Sequence, residues 1–114
     1  MDINVIIKTI KERKFQYGNN FPEIAKAWNL QLHCTNITPE KVAGMFAEMK
    51  ETRISATKSK ISDLNEIMGV CDTQEEITEI SQDIHRLNLV LKDSILDKEC
   101  YLWISNNYKE YLEM

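Results

Sequence analysis

The sequence predicts an all-α fold, a small helical bundle carrying one extended antiparallel helical hairpin. Three observations predict it. The 114 residues contain only three Gly and two Pro, which favours a few long helices over many strands joined by tight turns. Apolar residues recur at heptad-like spacing at Ile54, Ile61, Leu64 and Met68, and at alternating steps of three and four from Ile77 to Leu91. Helix-start signals stand at Thr38-Pro39-Glu40 and at Thr73 with Glu76 three residues on.

The first helix is expected over about 2–14, with Ile3, Ile6, Ile7 and Ile10 as its apolar stripe. Lys11, Arg13 and Lys14 close it, where cations favour the negative end of the helix dipole. Gly18-Asn19-Asn20 breaks the pattern. A second helix follows over about Pro22–His33, since Pro is tolerated at a first helical position, with Ile24, Ala27, Trp28 and Leu32 facing inward. The third starts at the Thr38 cap and runs toward Met68, with Val42, Met45, Met49, Ile54, Ile61, Leu64 and Met68 as its stripe. Gly69 ends it.

Thr73 opens the next helix, whose residues Ile77, Ile80, Ile84, Leu87 and Leu91 form a coiled-coil seam. Its nearest partner is the 54–68 stripe, which predicts a hairpin tip near Gly69–Asp72. A tip near residue 71 makes residues whose numbers total about 142 level with each other. Lys50 then faces Lys92 and Asp93, Glu48 faces Ser94, and Asp97 faces Met45. A last helical stretch runs from about Lys92 to Tyr111, with Leu96, Cys100 and Trp103 on one stripe and Asp93, Asp97 and Tyr101 on another.

Length fits one domain, 1–114, with the hairpin as an extension at about 54–91. Its core is small, and with the coiled-coil stripe this predicts a homo-oligomer of unspecified symmetry. Net charge is −4, with residues 1–53 at +2 and 54–114 at −6. That acidic half repels phosphate and argues against nonspecific nucleic-acid binding, while suiting divalent cations. Cys34, Cys71 and Cys100 have no CxxC spacing and read as reduced thiols of a cytoplasmic protein. No signal peptide and no membrane span is expected.

Two acidic constellations are candidate metal sites. Glu75-Glu76-x-x-Glu79 resembles the glutamate motif by which MazG-type enzymes hold magnesium, but acids in a first helical turn are favoured by the dipole alone. The second is Asp93 and Asp97 with Glu48, and Glu51 beside it, since facing helices can build a carboxylate site. Spacing alone favours a solvated face there, with Lys50, Arg53 and Lys92 as surface partners. Lys50 and Arg53 can pair with those aspartates or bind phosphate. No nucleophile elbow, Walker loop or dinucleotide fingerprint occurs.

A wider set of ordered residues carries a resemblance. Glu12-Arg13-x-x-x-Tyr17-Gly18, Asn20-Phe21, Ile24-Ala25, Trp28, Ile37-Thr38-Pro39, Val42-Ala43, Met45, Lys50 and Arg53 form one run, and Asp93-Ser94-x-x-Asp97-x-x-x-Tyr101 completes it. This resembles a family of small phage and prophage proteins of unknown function grouped with the MazG-like all-α nucleotide pyrophosphohydrolases. The likeness spans about 12–53 and 92–104. The chain departs by an extra stretch between the two runs, which the periodicity reads as lengthened antiparallel helices. It also departs at Lys98-Glu99-Cys100, where the family has small residues.

The resemblance implies a MazG-like helical bundle that binds a nucleotide and acts as a magnesium-dependent nucleoside triphosphate pyrophosphohydrolase. Asp93 and Asp97, with Glu48, would hold Mg2+ and carry catalysis. Lys50 and Arg53 would steady phosphate, and Tyr17 and Trp28 would line a base pocket. The alternative is a noncatalytic phage protein whose 54–91 hairpin inhibits or sequesters a host defence component, or a protein that sequesters a signalling nucleotide without cutting it.

Overall fold

Helices fill most of the described residues, and the connections at 69–73 and at Asn107 are short. A computed structural model describes residues 2–13 and 20–114. Helix occupies 83% of the described residues and none lies in a strand. Among the described residues, five helices follow in order: α1 (Ile3–Glu12), α2 (Phe21–Gln31), α3 (Pro39–Met68), α4 (Gln74–Asn106) and α5 (Tyr108–Leu112). The chain divides into two compact units, one of residues 1–49 with 96–114 and one of residues 50–95.

Asp2, which the sequence reading did not single out, caps α1 by accepting from Asn4 N–H at 2.9 Å. The two predicted start signals work as expected. Thr38 Oγ1 accepts from Lys41 N–H at 3.3 Å, and Thr73 Oγ1 from Glu76 N–H at 3.2 Å. Each side-chain oxygen satisfies a donor that has no partner inside its own helix.

The first unit packs α1, α2, α4, α5 and the start of α3 around Phe21. Its ring is 1% exposed and meets Tyr101, Tyr108 and Tyr111 edge-on at centroid distances of 6.0–6.4 Å, and tilts against Phe46 at 6.0 Å. Ile6, Ile10, Ala25, Val42, Ala43, Cys100 and Ile104 complete the buried cluster. The stripe predicted for α1 is rotated slightly: Ile6 and Ile10 are buried, Thr9 joins them, and Ile3 is exposed. Thr9 is tolerated inside because its hydroxyl donates to Val5 C=O at 2.7 Å.

Two other stripes are corrected. On α2 the buried residues are Phe21 and Ala25, while Ala27 and Leu32 are exposed. On α3 the inward residues are Val42, Ala43 and Ala47, whereas Met45 and Met49 stand exposed at 42% and 61%. Close approach of α3 and α4 explains the second case. Ser105 Oγ donates to Glu40 C=O at 2.8 Å, and a Cβ built on Gly44 would stand 3.3 Å from that same Oγ. At such spacing alanine and glycine fit and methionine does not.

The second unit is the antiparallel hairpin. Met68 Sδ accepts from Ser81 Oγ at 3.3 Å, and Lys60 and Leu64 share a cleft with Asp83 and Leu87. Level residues therefore total about 147–149, not the 142 expected from a tip at residue 71. After Met68 the chain completes one more tight turn, with Gly69 N–H donating to Asn65 C=O, Val70 N–H to Ile67 C=O and Cys71 N–H to Met68 C=O. The reversal comes two to three residues later than Gly69 would set it, and the register moves by twice that. Carried along the hairpin, this register makes Asp93 level with about Ile54.

Candidate functional site

Asp97 lies on α4 one turn before Tyr101, so the helix that fixes Tyr101 in the core also fixes the carboxylate. Its side chain is 13% exposed and its Oδ1 accepts from Arg13 Nη1 at 3.1 Å. Arg13 is the C-cap of α1 and its own N–H donates to Thr9 C=O. The end of α1 thus delivers a guanidinium to α4, and the pair fastens two helices that are 84 residues apart in sequence. Arg13 is a cationic partner of Asp97 that sequence spacing did not point to. Burial first, and the nearby Asp97 charge second, push the Tyr101 phenol above its ordinary pKa.

Asp93, Glu48 and Arg53 are exposed, and Lys50 is half-buried. Among the described residues no three His, Cys, Asp or Glu side chains are grouped so as to hold a metal ion. The donors proposed for Mg2+ therefore do not fit it as a set, because a hard cation needs several oxygens converging on one point. Glu75, Glu76 and Glu79 are exposed on the first turns of α4, with Glu76 N–H engaged by the Thr73 cap. Trp28 packs on Phe46 at a centroid distance of 6.2 Å and belongs to the core margin. Tyr17 lies outside the described residues.

A groove of about 540 Å³ opens beside α2, lined by Pro22, Ala25, Lys26, Asn29, Leu30, Cys34, Thr35, Ile37 and Pro39. Its wall is mainly apolar, and Lys26 is its one charged residue. Asn29 builds it: Nδ2 donates to Ile37 C=O at 3.0 Å, while Oδ1 accepts from Ile37 N–H at 3.0 Å and from Cys34 Sγ at 3.3 Å. His33, at φ 53°, makes the turn that brings the 34–37 loop back to Asn29. None of the expected site residues lines this groove. Asn29 carried no sequence signal, because its role depends on a loop folding back eight residues later.

The cysteines are free thiols. Cys71 donates to Ile67 C=O at 3.2 Å, and desolvation together with Glu76 and Asp72 pushes its pKa up. No described helix is long and apolar enough to cross a membrane.

The hairpin carries a surface of one coherent character. From residue 58 to residue 93 no residue is buried. The seam residues Ile61, Leu64, Met68, Ile77, Ile80, Ile84, Leu87 and Leu91 are each only half-covered, and Ile67, Val70 and Leu89 are exposed. Two helices cover each other along one line, so the flanks of every seam side chain stay open.

Fold and surface define the class: an all-helical protein with a helical hairpin whose apolar seam is incompletely covered. The chain belongs to the DUF6378 family, a domain of unknown function, whose profile matches residues 4–78. The matched stretch includes Lys50 and Arg53 and stops before Asp93 and Asp97. No curated protein and no solved structure matches the chain.

Proposed function

We propose that this is a noncatalytic binding protein whose hairpin, residues 50–95, docks onto protein. The observation that carries this reading is the half-covered apolar seam, which a further helical layer would bury. A partner that covers six to eight such side chains gains from a few tenths to about 1 kcal/mol for each, since full burial is worth about 1.5–3 kcal/mol and at most about a third of each side chain is still open. Such a protein acts by occupying its target, for example a host component that a phage must restrain. The free thiols support a cytoplasmic setting for it.

A second reading is a MazG-like nucleotide-binding protein of phage origin. The ordered residues of the resemblance support it, and the Arg13–Asp97 pair joins its two separated runs. Against it, much of that set serves packing: Phe21, Ala25, Val42 and Ala43 are buried, and Trp28, Ile37 and Tyr101 lie against the same core.

One experiment separates the two. The full-length protein and its Ile80→Glu/Ile84→Glu variant are compared for association by light scattering and cross-linking, alone and with a purified target. Trp28 and Trp103, the two tryptophans, both belong to the unit of residues 1–49 and 96–114 and report its integrity by fluorescence. The variant loses association with unchanged tryptophan emission. Wild-type association in the variant, or a melting temperature raised by nucleotide with magnesium, overturns the docking reading.

A further inference from the structure

The charge on the hairpin is sorted by position. Residues 61–83, the tip and the turns flanking it, hold seven acidic residues, Glu75, Glu76 and Glu79 among them, and no Lys or Arg. Residues 50–60 and 84–95, the open end, hold six Lys or Arg, including Lys58, Lys60 and Lys92, against two acids. One ion pair, Arg86 Nη1 to Asp83 Oδ1 at 3.2 Å, straddles the boundary and leaves the contrast standing. The hairpin is thus a rod with one strongly negative end and one positive end, and the same half-covered seam runs along both.

We infer that the seam is covered by the hairpin of a second copy of this chain, laid antiparallel so that each acidic tip meets the other's basic open end. This rests on the docking reading above and names its partner. Side by side in the same direction, two copies would bring two tips of net −7 together, and like charges at such spacing repel. Turned end for end, the same two surfaces attract at both ends, and the twofold axis passes between them.

The area suffices. Nineteen residues from Lys50 to Met68 rise about 28 Å at 1.5 Å each, and two helices side by side span about 18–20 Å. The facing surfaces are then on the order of 500 Å² per copy in projection and more in accessible area, enough for a specific contact of about 1,000–1,200 Å² in total. The product is an antiparallel four-helix bundle in which the seam residues of both hairpins face a common interior.

Sedimentation equilibrium of the full chain, at 50 and 500 mM salt, tests this. The expected species at low salt is a dimer, twice the 13.3 kDa of the chain, and its Kd rises several-fold at high salt. Glu75→Lys/Glu76→Lys/Glu79→Lys weakens the dimer at least tenfold, as does Lys58→Glu/Lys60→Glu/Lys92→Glu. The two sets combined restore it, because tip and open end have exchanged sign together. Cys71 supplies an independent check, since an antiparallel pair holds the two tips apart and mild oxidation yields no Cys71–Cys71 disulfide. Dimers that tighten on tip reversal, or that cross-link through Cys71, show a parallel pair and overturn the inference. A monomer throughout also overturns it; the docking reading then stands or falls on its own test, loss of target binding in Ile80→Glu/Ile84→Glu.

Discussion

Replacing Asp97 separates its structural role from a catalytic one. Its carboxylate takes a charge-assisted hydrogen bond from Arg13 at 3.1 Å, with side-chain exposures of 13% and 28%. An exposed ion pair is worth about 0.2–1 kcal/mol, and a hydrogen bond to a charged group about 1.5–3 kcal/mol. Partial burial places this pair at about 1.5–2 kcal/mol. For a chain of this size, at about 4 °C per kcal/mol, Asp97→Asn lowers Tm by about 6–8 °C. The assay is urea unfolding followed by tryptophan fluorescence on wild type, Arg13→Gln, Asp97→Asn and the double variant. The double-mutant cycle gives the coupling directly, about 1–2 kcal/mol, because neighbours of either residue cancel. Additive effects, with coupling under about 0.3 kcal/mol, would refute the assignment of Asp97 as the fastener between α1 and α4. Asp93→Asn is the control: exposed at its position on α4, it changes stability by less than about 0.5 kcal/mol.

Three further outcomes are expected. Phe21→Ala removes the ring at the centre of the aromatic cluster and costs about 3–5 kcal/mol in chemical denaturation. Thr38→Ala leaves the Lys41 N–H without its cap and costs about 1 kcal/mol, with Thr38→Ser restoring most of it. Alkaline pH destabilises the fold through Tyr101, Tyr108 and Tyr111, whose phenols burial holds above their ordinary pKa. The folded state then keeps its protons when the unfolded state sheds them. This stabilisation is fully present below about pH 10 and is lost as pH rises through the raised values, so melting temperature falls there while phenolate absorbance lags that of free tyrosine.

The amino-acid sequence determined the helices and their caps. Thr38 and Thr73 announced α3 and α4 because a cap is a local event, settled between residues three apart. The heptad steps of Ile77 to Leu91 likewise announced the seam, since helical periodicity is written in neighbouring positions. The tertiary structure decided what those helices touch. Met45 and Met49 are as apolar as any core residue, yet Ala43 and Ala47 are buried in their place, because α3 and α4 approach too closely for long side chains. One extra turn after Met68 shifted the hairpin register by about five residues. Asp97 found Arg13 across 84 residues, and Asn29 found a loop set by the positive φ of His33. Such pairings depend on where whole helices come to rest, and spacing along a chain does not encode that distance.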